Sequence, residues 1–437
     1  MTQLERARRG MVTREMKRVA SLEKTSPETL RERIAAGHVV LPVNLRRKRL
    51  GLPEVKLCGI GEGLRTKVNA NIGTSEDFAD LKAELEKLHA AVEAGADTIM
   101  DLSTGGDIRM IRQRVLEASR VPVGTVPIYD AGVRAAREQG GVRAMTVEGI
   151  LGAVREHAEQ GVDFVTLHCG VTRDVLRTLR QSPRVCGIVS RGGSFLAAWM
   201  GCHGKENPLY ERFDEVLAIC REHDVTISLG DGLRPGALAD ALDRAQVHEL
   251  NVLAELSARA QEAGVQVMIE GPGHVPLHKV ETQVRMQKEL CRGAPFYVLG
   301  PLVTDVAPGY DHITAAIGGA LAAAAGVDFI CYVTPTEHLG LPAVEHVREG
   351  VIAARIAGHA GDIAKGVRGA AEWDREFSRR RRARDWDGQM RTCMDPKRAR
   401  MLRESRRPGE SDVCSMCGEF CVFKLSEDAK RRKDARA

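Results

Sequence analysis

Aromatic residues are scarce in this sequence, and so are long apolar runs. Trp, Tyr and Phe together make up 4% of the 437 residues, whereas Ala, Val, Leu and Gly are plentiful. This balance favours packed α/β layers over an all-β sandwich. No stretch reaches the roughly 18 apolar residues of a membrane span, and the first residues, MTQLERARRG, lack the apolar core of a signal peptide. We therefore expect a cytoplasmic protein that has no membrane partner.

The charge balance also lacks a strong excess of one sign. The chain has 64 Lys and Arg residues against 59 acidic residues, a formal net charge of +5. Its basic residues fall partly in short runs, which are typical of solvated helix faces and tails. We expect no nucleic-acid partner.

A disulfide framework is not expected, because eleven cysteines are an odd number and eight of them are scattered along the chain. The other three, Cys414, Cys417 and Cys421, form a CxxCxxxC motif that no later Cys or His follows. A structural zinc site or a saturated iron–sulfur cluster takes four protein ligands. Three thiols predict a cluster with one iron open to a small molecule, although a redox sensor or an electron carrier would also suit the motif.

Short apolar runs alternate with helical stretches through most of the chain. The runs begin near residues 66, 97, 121, 163, 186, 225, 265, 296 and 328. The segments between them have helical periodicity, often with an N-cap residue and a glycine stop. This alternation predicts a parallel sheet, either a closed TIM-type (β/α)8 barrel or an open doubly wound sheet. Nine runs are one more than the barrel needs, and the sequence does not identify the extra one.

Mainly polar side chains fall at or just past the C-terminal ends of these runs, and this placement favours the barrel. In a TIM barrel those ends share one face, where the active site is built. We therefore expect one pocket to collect the following residues: Asn71, Met100, Asp101, Tyr129, His168, Ser190, Asp231, Glu270, His274 and His338.

Three regions are expected along the chain. A small N-terminal segment at 1–60 precedes the barrel at 61–360, and residues 361–437 form a helical C-terminal extension. In that extension a charged segment, PKRARMLRESRRPGESD, leads to the cysteine motif. Such a segment is typical of a flexible linker. It predicts a mobile iron–sulfur motif that is delivered to a pocket on the same subunit or on a neighbour.

Two histidines at the predicted barrel mouth suit a metal ion. The glycines of EGPGHVP predict a tight turn that brings Glu270 and His274 to the mouth, and His338 follows the run DFICYV. Two imidazoles and a nearby carboxylate are typical ligands of zinc or another divalent metal. The alternative is a pair of unrelated histidines that only make hydrogen bonds.

Two small-residue loops indicate a phosphorylated substrate. The loops SLGDGLRPG and IVSRGGS each contain one arginine, Arg234 and Arg191, at the end of a predicted strand. Glycine lets backbone N–H groups approach a ligand, and arginine binds phosphate through two parallel donors. A third motif, DVAPGYDHITAAIGGA, offers His312 as an acid or base, while Asp311 suits a helix cap.

Together these motifs resemble the ThiC family of phosphomethylpyrimidine synthases, radical S-adenosylmethionine (SAM) lyases of thiamine biosynthesis. The resemblance covers nearly the whole chain, through NANIG, MDLSTGGDI, VGTVPIY, SRGG, SLGDGLRPG, VMIEGPGHVP, PFYVLGPL, DVAPGYDH, CYVTPTEHLGLP and CSMCG. It implies conversion of 5-aminoimidazole ribotide to 4-amino-5-hydroxymethyl-2-methylpyrimidine phosphate. It also implies a homodimer and a reducing electron donor such as flavodoxin or ferredoxin.

The resemblance also implies roles for barrel residues. Glu270, Tyr297 and His312 are its catalytic candidates for proton transfer, and the sequence does not rank them. The implied substrate-binding residues are Asn71, Met100, Tyr129, His168, Ser190, Arg191, Gly192, Asp231, Gly232, Leu233, Arg234, Glu270 and Tyr297.

The implied cofactors are a [4Fe-4S] cluster, SAM and a divalent metal. Cys414, Cys417 and Cys421 would bind the cluster, whose open iron would bind SAM. His274 and His338 would bind Zn2+ or another divalent metal.

Two features depart from the long members of this family. Three residues rather than four separate Cys417 from Cys421, and a long N-terminal extension is not present in the sequence. The chain thus resembles the short form, which leaves 5-hydroxybenzimidazole synthase, an anaerobic paralogue that uses the same substrate for cobamide biosynthesis, as an alternative. A metal-dependent barrel hydrolase and an iron–sulfur sensor are alternatives from other classes.

Overall fold

Eight short parallel strands close into a barrel in a computed structural model of the chain. The structure describes residues 1–407, 409 and 412–427. These residues divide into two units, one from Met1 to Lys365 and one from Gly366 onward. The first unit contains the whole barrel, and the prediction of a TIM-type α/β fold is confirmed.

The N-terminal segment forms its own small core beside the barrel. Its helices begin at the hydroxyl residues Thr2, Thr13 and Ser26, whose side chains accept backbone N–H groups of the first turn. Apolar side chains from this segment pack together, Met16 and Leu30 among them. Its elements are α1 (Gln3–Arg8), α2 (Arg14–Leu22), α3 (Pro27–Ala36) and the antiparallel pair β1 (Val39–Val40) and β2 (Ile60–Gly61).

The barrel strands follow one another in chain order, each parallel to its neighbours, and the last pairs with the first. Helices cover the barrel outside and side chains fill it inside, which explains why the strands are nearly continuous apolar runs. The strands are β3 (Lys67–Ile72), β4 (Thr98–Asp101), β5 (Val123–Thr125), β6 (Phe164–Leu167), β7 (Thr226–Leu229), β8 (Val267–Gly271), β9 (Phe296–Leu299) and β10 (Phe329–Cys331).

The helices around the barrel have the caps that the sequence predicts at many of their ends. For example, α4 starts at the N-cap Asp80 and stops at the left-handed glycine Gly95. The helices are α4 (Leu81–Ala94), α5 (Ile108–Ala118), α6 (Pro127–Gln139), α7 (Val147–Gln160), α8 (Arg173–Gln181), α9 (Arg191–His203), α10 (Pro208–Glu211), α11 (Phe213–His223), α12 (Arg244–Glu262), α13 (Val280–Leu290), α14 (Asp311–Ala325) and α15 (Val344–Ala364).

Aromatic side chains fill the barrel interior. The Phe329 ring stacks on Tyr297 at 4.2 Å between centroids and meets Phe164 edge-on at 6.4 Å. Phe164 and Phe329 are fully buried. The barrel is therefore a packed core rather than a pore, as is usual for this fold, and open space is left at its C-terminal mouth.

The run near residue 186 is the extra one, and its prediction as a strand was wrong. The backbone N–H groups at its start bond to a side chain and not to a neighbouring strand. Those of Val185 and Cys186 donate to the carboxylate of Asp240 at 2.8 and 3.0 Å. Ser190 then caps α9 by accepting the Gly193 N–H at 3.2 Å. This run is the loop that leads into α9, and Ser190 does not lie at the end of a strand.

The second unit begins with three helices, and the cysteine motif follows them. Its helices are α16 (Ala370–Arg382), α17 (Trp386–Thr392) and α18 (Pro396–Ser405). Helix α18 occupies most of the segment that was interpreted as a flexible linker. That interpretation was wrong for Pro396–Ser405, since Asp395 caps the helix and Pro396 fills its first turn; residues 408, 410 and 411 lie outside the described residues. Among the described helices, none is long and apolar enough to cross a bilayer.

Candidate active site

A cleft at the C-terminal mouth of the barrel collects eight of the predicted substrate-binding residues. It encloses about 490 Å³, counting space that is continuous with solvent. The predicted residues that line it are Asn71, Met100, Tyr129, His168, Asp231, Arg234, Glu270 and Tyr297.

Glu270 lies at the end of β8, beside Tyr297 of β9 in the sheet register. Its Oε1 accepts hydrogen bonds from the hydroxyls of Thr166 at 2.8 Å and Ser228 at 3.2 Å. Enclosure in the barrel raises the pKa of Glu270, although these hydrogen bonds oppose the shift. The carboxyl group is therefore better able to hold a proton than an exposed glutamate.

Tyr297 is held by an amide network on the other wall of the cleft. The Asn69 amide donates to the Tyr297 hydroxyl and to Asn71 Oδ1, both at 2.8 Å. Asn71 in turn donates to the Cys331 sulfur at 3.1 Å. Burial raises the pKa of Tyr297 well above its usual value and that of Cys331 to about 12. Both groups are protonated at neutral pH.

Two arginines bring positive charge to this cleft. Arg234 Nη1 lies 3.4 Å from Asp231 Oδ1, and the Arg191 guanidinium lies 5.0 Å from the centroid of the Tyr129 ring. Burial raises the pKa of Asp231 well above its usual value, while the charge of Arg234 acts in the opposite direction. An anionic group of a ligand would find two guanidinium groups here.

His168 is uncharged in this environment. Burial and, to a smaller extent, the charge of Arg234 lower its pKa to about 3. Within the described part of the chain, His168 Nδ1 and Asp231 Oδ2 are buried and have no hydrogen-bond partner. Buried polar atoms rarely stay unpaired, so both atoms indicate the position of polar groups on a ligand.

The loop before α9 and the loop after β7 meet beside the cleft. A Cβ atom on Gly192 would lie 2.3 Å from the His168 ring, and one on Gly193 would lie 2.4 Å from the carbonyl oxygen of Gly232. Only glycine permits these approaches. They put the N-terminus of α9, with its positive dipole end, next to the ring of His168.

Gly232 and Leu233 belong to the wall of the site rather than to its lining. The Leu233 N–H donates to Glu249 Oε2 at 2.8 Å. Glu249 lies on α12 and is 1% exposed. This bond fixes the loop beside the cleft, and the roles of Gly232 and Leu233 in substrate binding stay predictions.

The two predicted metal ligands lie close together, with ring centroids 5.2 Å apart and ring planes inclined at 60°. Nδ1 of His274 donates to Asp305 and Nδ1 of His338 donates to Asp311, each at 2.8 Å. Because an ionised carboxylate only accepts, the proton is on Nδ1 and the Nε2 lone pairs are available. This second shell is typical of metal-binding histidines, so the donor set fits a divalent ion.

His312 does not line the cleft. It lies in the first turn of α14, with its Nε2 3.7 Å from Glu349 on α15. Its role as an acid or base stays a prediction.

The cysteine motif forms two successive turns in the second unit. The N–H groups of Cys417 and Gly418 donate to the Cys414 carbonyl, and the Cys421 N–H donates to that of Gly418. The Cys417 N–H also bonds to the Cys414 sulfur and lowers the pKa of that thiol. Three thiols on one short loop suit iron, although no set of three donor side chains is already arranged around a metal position in the described ranges.

Several residues of the site were missed, and most of them obey a simple pattern. Asn69 and Thr166 each lie two residues before a predicted site residue, on the same strand, and so point to the same side of it. Ser228 lies on β7, and Asp231 belongs to the loop that follows this strand. A polar residue inside an apolar strand that leads to a predicted site residue was the signal that could have identified these positions. Glu249 had none, because it comes from a helix distant in sequence.

A polar cleft at the mouth of a parallel barrel, together with a separate three-cysteine loop, defines an enzyme that combines barrel catalysis with an iron–sulfur centre. The sequence profile of the Radical SAM ThiC family matches residues 2–428. The chain therefore belongs to this family, as its motifs indicated, and the family implies SAM and an iron–sulfur cluster.

Curated relatives agree over nearly their full length. Proteins named phosphomethylpyrimidine synthase from Dehalococcoides mccartyi and Moorella thermoacetica are 60% and 59% identical to this chain, over 98% and 97% of both sequences. One of the same name from Desulforamulus reducens is 56% identical over 97% of both.

Proposed function

We propose that this chain is a phosphomethylpyrimidine synthase that converts 5-aminoimidazole ribotide to 4-amino-5-hydroxymethyl-2-methylpyrimidine phosphate in thiamine biosynthesis. The observation that carries the proposal is the identity of 56–60% to proteins of that name over their whole length. The cleft agrees with it, because it offers positive charge for a phosphate and unpaired polar atoms for a small heterocycle.

The ribotide would bind with its phosphate towards the arginines. Arg234 and Arg191 supply the guanidinium groups, and the start of α9 supplies backbone N–H groups and the helix dipole. His168 Nδ1 and Asp231 Oδ2 would hydrogen-bond to the ribose or the base. Neutral His168 makes such bonds without adding a second cation beside Arg234.

Cys414, Cys417 and Cys421 would hold a [4Fe-4S] cluster, with SAM on the iron that has no protein ligand. Such a cluster, once reduced, supplies radical chemistry through the 5′-deoxyadenosyl group of SAM. The barrel residues bind and orient the ribotide and exclude water from it. Glu270, with its raised pKa, is suited to hold or release a proton at Oε2, since its Oε1 is used by two hydroxyls.

His274 and His338 would bind one divalent ion, with zinc as the first candidate, through their Nε2 atoms. Asp305 and Asp311 orient the imidazoles, and their other oxygens are fixed by the backbone N–H groups of Leu238 at 2.9 Å and Gly309 at 3.1 Å. Two protein ligands leave open positions at which a substrate oxygen or nitrogen can bind.

The short length of the chain does not favour the benzimidazole product. The relatives are matched over 97–98% of their own length, so proteins named phosphomethylpyrimidine synthase share this length. We also propose a homodimer and a low-potential electron donor such as flavodoxin or ferredoxin.

The test is an anaerobic reaction of the iron-reconstituted protein with a reductant, SAM and 5-aminoimidazole ribotide. We expect 5′-deoxyadenosine only when the ribotide is present, with the pyrimidine phosphate detected by mass spectrometry. 5-Hydroxybenzimidazole instead of the pyrimidine would refute the proposal. A Cys414→Ser variant that retained full activity would indicate a metal-dependent hydrolase.

A further inference from the structure

One arginine joins both ends of the segment that carries the three cysteines. Arg384 Nε lies 3.2 Å from Asp412, just before the first cysteine, and its Nη2 lies 3.0 Å from Glu427, just after the last. Arg384 occupies the turn between α16 and α17 with a φ of 55°, and its side chain is 17% exposed. It therefore acts as a bridge between two points that are distant along the segment.

Two further side chains hold the start of the same segment. The Trp386 indole N–H donates to the Asp412 carbonyl at 3.0 Å, and Arg403 Nη1 donates to the Val413 carbonyl at 3.2 Å. The Arg403 guanidinium lies 3.5 Å from the centroid of the Trp386 ring. Arg384, Trp386 and Arg403 are here called the clamp. Trp386 and Arg403 donate to adjacent backbone carbonyls at the start of the segment, and Arg384 donates to one side-chain carboxylate at each end.

The cysteine segment has little apolar packing that would fix its shape. Met416, Phe420 and Val422 are 91%, 73% and 65% exposed, whereas Val413 and Cys421 are buried. A segment with so few buried side chains loses much of its order when its ends are released, because fixing each residue costs conformational entropy. Within the described residues, the polar bonds of the clamp therefore restrain both ends of this segment.

We propose that the clamp is a set of positioning residues that holds the cysteine loop in place before iron binds. It lowers the cost of ordering the loop when the cluster forms, as preorganisation does for any ligand site. This inference rests on the proposed function in one respect, namely that the three cysteines bind a cluster.

The experiment measures iron retention, not turnover. The full-length protein and its variants are reconstituted with iron and sulfide under anaerobic conditions, and loss of the cluster's visible absorbance is followed after a chelator is added. Arg384→Gln removes both ends of the bridge, and Trp386→Phe keeps the ring beneath Arg403 but removes its N–H. The matched control is Arg382→Gln, which removes an exposed arginine at the end of α16.

We expect all three variants to take up iron, since every cysteine is intact. Arg384→Gln should release it about tenfold faster than wild type, a factor that corresponds to about 1.4 kcal/mol. Trp386→Phe should release it a few-fold faster, and Arg382→Gln should match wild type. If Arg384→Gln released iron at the wild-type rate, the clamp would be overturned. The same conclusion would follow if the control Arg382→Gln released iron as fast as Arg384→Gln, because the loss of positive charge alone would then explain the effect. A wild-type protein that binds no iron would refute the cluster and the clamp together, whereas a stable cluster with the wrong product would refute only the proposed function.

Discussion

The close approach of Gly192 to His168 permits a sharp test of the active site. A Cβ atom at Gly192 would lie 2.3 Å from Cε1 and Nδ1 of the His168 ring, whereas ordinary contacts begin at 3.4 Å. In Gly192→Ala the ring or the start of α9 must therefore move by about 1.1 Å. The ring is 2% exposed, so the space into which it can move is the cleft itself.

We expect this displacement to reduce activity strongly while the protein stays folded. A misplacement of about 1 Å at a positioning group costs roughly 100-fold in rate. Because the ring moves into the volume that the ribotide would occupy, substrate affinity should also fall. The assays are formation of 5′-deoxyadenosine and of the pyrimidine, ribotide binding by calorimetry, and thermal unfolding.

Gly201→Ala is the matched control for this variant. Gly201 lies on the same helix, is exposed, and has nothing within 4 Å of the position of an added Cβ atom. Alanine there should stabilise the helix by roughly 0.5–1 kcal/mol and leave activity unchanged. Gly192→Ala with wild-type activity and affinity would refute the reasoning, because His168 would then have no positional role.

Three further predictions concern buried groups. Glu249→Leu removes the acceptor of the Leu233 N–H, so we expect a loss of roughly 1–3 kcal/mol in unfolding free energy and weaker ribotide binding, whereas the exposed Glu255→Leu should change neither. Burial, followed by the charge of Arg112, lowers the pKa of His157 from 6.5 to about 4. Between these two pH values the unfolded chain takes up a proton that folded His157 does not, so the free energy of unfolding should be full above pH 6.5 and fall by about 3 kcal/mol as the pH drops towards 4. Chemical denaturation across this range should show a smaller fall for His157→Gln. His274→Ala should lose the divalent metal in elemental analysis and keep its iron, and retention of both would contradict the proposed histidine site.

The fold could be predicted because its rule is local. Buried parallel strands are apolar on both faces, and eight of the nine apolar runs are indeed barrel strands. The run near residue 186 has the same composition, but its amides bond to Asp240, which is more than 50 residues away. A sequence pattern does not contain such a partner. The charged segment before the cysteines was likewise interpreted from composition, although its cap Asp395 indicated a helix.

The lining of the cleft followed from one geometric rule, that strand ends share a face. This rule brought Asn71, His168 and Glu270 into one cavity. It does not extend to Gly232 and Leu233, which lie outside the lining of the cleft. Composition shows that a loop is able to approach a ligand but not where its N–H groups point, and the Leu233 N–H bonds to Glu249. Bonds between a helix and a loop far apart in sequence become visible only in three dimensions.

The packed rings of Phe164, Tyr297 and Phe329 have a kinetic consequence. Since these rings fill the barrel interior, the cleft has no rear exit, and the ribotide and every product formed from it must pass through the same opening. Entry of a new substrate and departure of the previous product therefore exclude each other. Product should therefore inhibit competitively with respect to the ribotide. Any partner that covers the opening has to withdraw once in each catalytic cycle.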